Sequence, residues 1–75
     1  MPRRYTFNDI VSIVLSQGWE FHHYTGSHAN YRKPGYSTVV VPYMRGVLRP
    51  GTVANIRRQM MLTSDEFERI ADEVL

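Results

Sequence analysis

The sequence predicts an α+β domain: a helix, a three-stranded antiparallel sheet and two further helices, with the helices on one face of the sheet. Apolar residues recur at helical spacing before residue 18 and after residue 52, and they alternate with polar ones at a period of two between residues 19 and 43. Turns centred on Gly and Pro separate the alternating runs. Seventy-five residues make one small domain, and 43% hydrophobic residues is too high a share for a disordered chain. A core of this size supplies only about 3 to 5 kcal/mol, which makes a binding partner or self-association consistent with the size.

Thr6 followed by Asp9 is an N-cap with an acidic residue three places on, and it predicts a first helix over residues 7–17 that Gly18 ends. Phe7, Ile10, Val11, Val14 and Leu15 form its apolar face. From Trp19 the period changes to two, which sends Trp19, Phe21 and His23 toward the helices and leaves Glu20, His22 and Tyr24 on the open face. Gly26-Ser27 supplies a turn. In the second strand Ala29 and Tyr31 face the core, and His28, Asn30 and Arg32 face out.

Pro34-Gly35 makes the next turn, and Ser37 to Tyr43, with its β-branched Val39-Val40-Val41 run, reads as the third strand. After a loop over residues 44–51, Thr52 is the expected N-cap of a helix whose inner face is Val53, Ile56 and Met60, with Met60-Met61 packing into the core. Thr63 and Glu66 form a capping box for a last helix with the stripe Phe67, Ile70, Ala71 and Val74.

The net charge of +2 conceals a division along the chain. Residues 1–60 carry eight Arg or Lys against two acids, +6, whereas residues 61–75 carry one Arg against five acids, −4. Eight of the nine cations are Arg, whose planar fork matches phosphate oxygens, so the body of the chain is suited to a polyanion. The absence of cysteine excludes disulfides, thiolate metal sites and a Cys nucleophile. No apolar run has the length of a signal peptide or of a membrane span, and the expected location is the cytoplasm, without membrane attachment. Adjacent strand residues point to opposite faces, so His22-His23 is not expected to bind metal.

His28 stands on the open face beside the Gly26-Ser27 turn, where a ligand can reach it and where imidazole exchanges protons near neutral pH. Its surroundings carry a pattern. Gly18-Trp19, Gly26-Ser27-His28 with Tyr31, Val41-Pro42, and Pro50-Gly51-Thr52 leading into Ile56-Arg57-Arg58-Gln59 together resemble the HicA toxins of type II toxin-antitoxin systems, over about residues 6–62. On this resemblance the chain is a single HicA-like domain over residues 1–75, with an additional helix over about residues 63–75. The sequence departs from the family pattern at Ala29, where a second His is common, and at Tyr43-Met44-Arg45-Gly46, where Arg45 takes the place of the usual cationic loop residue.

The resemblance implies a double-stranded-RNA-binding-like fold and ribosome-independent mRNA cleavage with no metal or other cofactor. It implies His28 as the catalytic residue, and a HicB-type antitoxin that covers the face and accounts for any oligomer. The residue chemistry agrees with an RNase that uses the RNA's own 2′-hydroxyl. His28 is the general base, Arg32, Lys33 or Arg45 stabilises the phosphorane, and Gly26, Ser27 and Asn30 line the substrate path. Tyr24, Tyr31 or a water protonates the leaving oxygen. Two alternatives stay open at this point: a double-stranded-RNA-binding module that does not cut, and a decayed toxin retained as an interaction partner.

Overall fold

The computed structural model describes residues 3–75. It arranges them as α1 (Phe7–Ser16), β1 (Glu20–Thr25), β2 (His28–Arg32), β3 (Val39–Pro42), α2 (Pro50–Gln59) and α3 (Ser64–Val74). The strands form one antiparallel sheet in the order β1-β2-β3. This is the expected α+β layout, with a further helix at the C-terminal end.

Both capping boxes form. Thr6 accepts from the Asp9 N–H while the Asp9 carboxylate accepts from the Thr6 N–H, and Thr63 and Glu66 repeat the exchange at α3. Two otherwise orphaned backbone donors are satisfied at each helix start. The hydrogen bonds from Thr63, the backbone one first, hold the Glu66 carboxyl below its ordinary value of 4.5. A lowered carboxyl contributes stability above its unfolded value and loses it as pH falls through the folded one. The urea midpoints of wild type and Glu66→Gln should therefore converge as pH is lowered from about 6 to about 3. A gap independent of pH would contradict this account of the cap.

α2 starts earlier than Thr52 would place it. Pro50 occupies its first position and Arg49 the N-cap, with no side-chain capping bond. Proline fixes a helical φ and lacks the N–H that this position leaves unpaired, so it starts the helix without help from a hydroxyl. At the other end Leu62 N–H bonds to Arg57 O at 3.1 Å and Met61 N–H to Arg58 O at 2.9 Å. These are the two bonds of a Schellman closure, and they require a left-handed residue at Met61, which has φ +61°. Met61 is thus 76% exposed instead of packed in the core, while Met60 is buried. A left-handed residue with a Cβ costs about 1 to 2 kcal/mol. Met61→Gly should accordingly raise stability by about 1 kcal/mol, read as a higher denaturant midpoint at unchanged slope.

The core joins Ile10, Ile13 and Val14 of α1 to Trp19, Ala29, Tyr31, Val39 and Val41, then to Ile56, Met60, Phe67 and Ala71. On α1 the inner face includes Ile13, whereas Leu15 is half exposed, so the stripe is rotated from the one expected. Tyr5 completes the core against Phe67, edge to face at 5.5 Å, and burial raises its phenol pKa above the usual value. α1 and α2 pack mainly over β3, which leaves β1 at the sheet edge with less helix cover. For that reason Phe21, opposite Tyr31 on the helix side, is still 48% exposed, although a core position was expected.

β3 is shorter than the expected Ser37–Tyr43. The pairing ends at Tyr31 with Val39, because the preceding turn folds Tyr36 back onto Trp19, their rings 5.3 Å apart. Among the described residues no helix is long and apolar enough to cross a membrane.

Candidate functional site

Thr25 pairs with His28, so Gly26-Ser27 is a two-residue hairpin loop. Gly26 has φ +59° and Ser27 a negative φ, the pattern of a type II′ turn, which matches the natural strand twist and places His28 at the first position of β2. Alternation then follows the expected parity. Ala29 and Tyr31 are buried, and His28, Asn30 and Arg32 lie on the open face. Burial raises the Tyr31 phenol pKa, with a smaller contribution from Tyr24.

The open face is fixed by its neighbours. Asn30 Nδ2 donates to His28 O at 3.1 Å and lies 3.3 Å from Thr25 Oγ1 and 3.4 Å from His23 O, so this amide braces the hairpin from within. Tyr43 N–H donates to Ser27 O at 2.8 Å and ties the end of β3 to the turn. Beyond it the loop is held again where Thr6 bridges Val47 and Leu48 N–H donates to Tyr5 O at 2.7 Å. Arg45 sits between these anchors in a cleft of about 240 Å³ beside the start of α1, with Phe7, Tyr43 and Gly46. Among the described residues Arg45 forms no ion pair, and its loop begins next to the turn that carries His28.

The other expected cations are placed elsewhere. Arg32 is four residues along β2 from His28, about 13 Å at normal strand rise, and stands opposite Glu20. Lys33 lies over the Tyr36 ring at 4.7 Å and the Trp19 ring at 5.9 Å, a cation–π position at the far end of the strand. Arg57 donates to Leu62 O at 2.7 Å, which assigns it to closing α2. A larger groove of about 730 Å³, between the N-terminal segment and the first turns of α2 and α3, is lined by Arg4, Arg49, Val53 and Phe67 but by no histidine.

β1 departs most from its expected reading. The register jumps between Phe21 and His23, so His22 has no partner on β2. This is a β-bulge: two residues of β1 oppose one of β2, and every later side chain changes face. Tyr24 now pairs with Ala29 and so lies on the helix side, its ring 5.0 Å from Phe21. His23 pairs with Asn30 and is exposed on the open face, where a partly buried core position was expected. The two imidazoles do not point apart either: His22 Nδ1 and His23 Nδ1 are 2.7 Å from each other. No motif in the sequence marks the bulge, since period-two alternation assumes an unbroken ladder.

These facts sort the chemistry. Tyr24 and Tyr31 lie on the face opposite His28, so neither phenol reaches a group held by it. His28, His23, Thr25 and Asn30 share the open face, and the loop that carries Arg45 leaves β3 at the His28 end. Among the described residues no three potential metal ligands converge.

The fold and this exposed histidine hairpin define a small α+β domain with one solvent-open sheet face. The profile of the family described as "HicA toxin of bacterial toxin-antitoxin" matches residues 7–62. The chain belongs to that family, and its role is that of a toxin of a toxin-antitoxin pair. No curated protein matches the chain. The match ends at Leu62, so α3 lies beyond it, yet Phe67 and Ala71 of α3 belong to the same buried cluster.

Proposed function

We propose that the chain is an endoribonuclease that cuts mRNA without a metal and is neutralised in the cytoplasm by a HicB-type antitoxin seated on the open sheet face. The observation that carries this reading is His28 on the Gly26-Ser27 hairpin, exposed on that face within the span that matches the toxin family. His28 removes the proton from a ribose 2′-hydroxyl. The freed oxygen attacks the adjacent phosphorus, a 2′,3′-cyclic phosphate forms and the bond to the 5′-oxygen breaks. Positioned general-base catalysis of this kind contributes about 10² to 10⁴ in rate.

Arg45 is the cation best placed for charge on the phosphorane oxygens, since its loop is anchored beside the turn. Arg32, at the far end of β2, holds a neighbouring phosphate of the same strand, while Lys33 is engaged with the Tyr36 and Trp19 rings. Gly26 and Ser27 let the RNA backbone approach the reacting histidine. Toxin and antitoxin together account for any oligomer.

The test is a short RNA whose scissile nucleotide has been mapped with wild-type protein in EDTA. A single 2′-deoxy substitution at that nucleotide should abolish cutting. Cutting of the substituted strand at the same position would contradict the mechanism.

A further inference from the structure

A proton is still required by the leaving 5′-oxygen, and the bulge in β1 brings a group to the open face that can supply it. We infer that His23 is the general acid of this reaction and that His22 positions it. The inference rests on the proposed role of His28 and extends the same site.

Three observations support it. First, Thr25 is opposite His28 and His23 is opposite Asn30, so His23 is the diagonal neighbour of His28 across the ladder. Diagonal neighbours on one face are about 7 to 8 Å apart, which leaves room for a phosphodiester between two imidazoles, one on the 2′ side and one on the 5′ side. Second, His23 is solvent-exposed, and its hairpin is braced by Asn30, which contacts the backbone oxygens of both His23 and His28. Third, a separation of 2.7 Å between the Nδ1 atoms of His22 and His23 requires a proton between them. That hydrogen bond engages the Nδ1 atoms of both rings and leaves His23 Nε2 free to carry the proton that the substrate takes.

The reaction then balances. The 2′-hydroxyl proton goes to His28, the 2′-oxygen bonds to phosphorus, the bond from phosphorus to the 5′-oxygen breaks, and the His23 Nε2 proton goes to that oxygen. The products are a 2′,3′-cyclic phosphate and a 5′-hydroxyl. His28 finishes protonated and His23 neutral, and solvent restores both. Both tyrosines lie on the other face, so His23 takes the position that a phenol was expected to fill.

The experiment uses two RNAs that differ at one atom, the bridging 5′-oxygen of the mapped scissile bond or sulfur in its place. A thiolate leaves without being protonated, so the sulfur substrate has no need of an acid. His23→Ala and His23→Gln should cut the ordinary RNA at least about 100-fold more slowly than wild type and cut the sulfur RNA within about threefold of it. His28→Ala should fail on both. His22→Ala should slow the ordinary RNA alone, by less than His23→Ala does.

A His23 variant that slows both substrates equally, or neither, overturns the acid role. Wild-type protein that cuts neither RNA overturns the ribonuclease reading, and this inference with it. Thermal melts of the variants report whether an exposed substitution has disturbed the fold.

Discussion

His28→Ala should lower the rate of RNA cleavage by about 10² to 10⁴ while leaving the melting temperature unchanged. Activity alone should suffer because the side chain is exposed and enters no hydrogen bond among the described residues, and the local structure is held by other groups. The strand pairs Thr25 with His28 and His28 with Pro42 through the backbone, which alanine preserves. The Gly26 conformation and the bond from Tyr43 to Ser27 O are likewise independent of the imidazole. The check is a single-turnover rate on a defined RNA beside a thermal melt. In a growing cell the same substitution should abolish growth arrest caused by expression without antitoxin. A variant that cuts as fast as wild type would transfer the base role to another group.

The largest effect on stability is expected at Ile10. This side chain is fully buried where α1 meets the sheet and α3, and its truncation removes apolar contact and leaves a cavity. Ile→Ala at such a position costs about 2 to 5 kcal/mol, against a core that supplies only about 3 to 5 kcal/mol at this size. Ile10→Ala should therefore be largely unfolded at room temperature, seen as loss of the cooperative urea transition. Leu15→Ala, five residues further on and half exposed, should stay within about 0.5 kcal/mol of wild type. The pair matters because the apolar spacing treats both residues as members of one face. Equal losses at the two positions would contradict the orientation of α1.

What could be read from the residues divides along a physical line. Features set by a few neighbouring residues are legible: the Thr6–Asp9 and Thr63–Glu66 boxes, Gly18 at the end of α1, and the Gly26-Ser27 turn each carry their own local chemistry. The parity of β2 is equally plain, because a central strand buries one face only. Features set by packing between elements are not. Whether Ile13 or Leu15 points inward depends on how α1 rotates against β3 and α3. Phe21 reads as a core residue until the helices are known to cover β1 less than β3.

The site shows the same division more sharply. His28 stands out through its turn and the surrounding family pattern. Arg32 and Lys33 are adjacent to it in sequence terms but lie a strand's length away. Period-two alternation puts His23 on the wrong face because one unpaired residue, His22, shifts the register and reverses every side chain after it. Two consecutive histidines in an edge strand carry no signal of a bulge. Their meeting at 2.7 Å is a property of the folded ladder.

The central claim is that this toxin cuts RNA by attack of the neighbouring 2′-hydroxyl, with His28 as base on a solvent-open hairpin face. The most direct measurement is mass spectrometry of the fragments released from a short RNA by wild-type protein in EDTA. The account predicts a 2′,3′-cyclic phosphate on one fragment and a 5′-hydroxyl on the other. Fragments ending in a 3′-hydroxyl and a 5′-phosphate would contradict it, since they require water or another external nucleophile to attack the phosphorus.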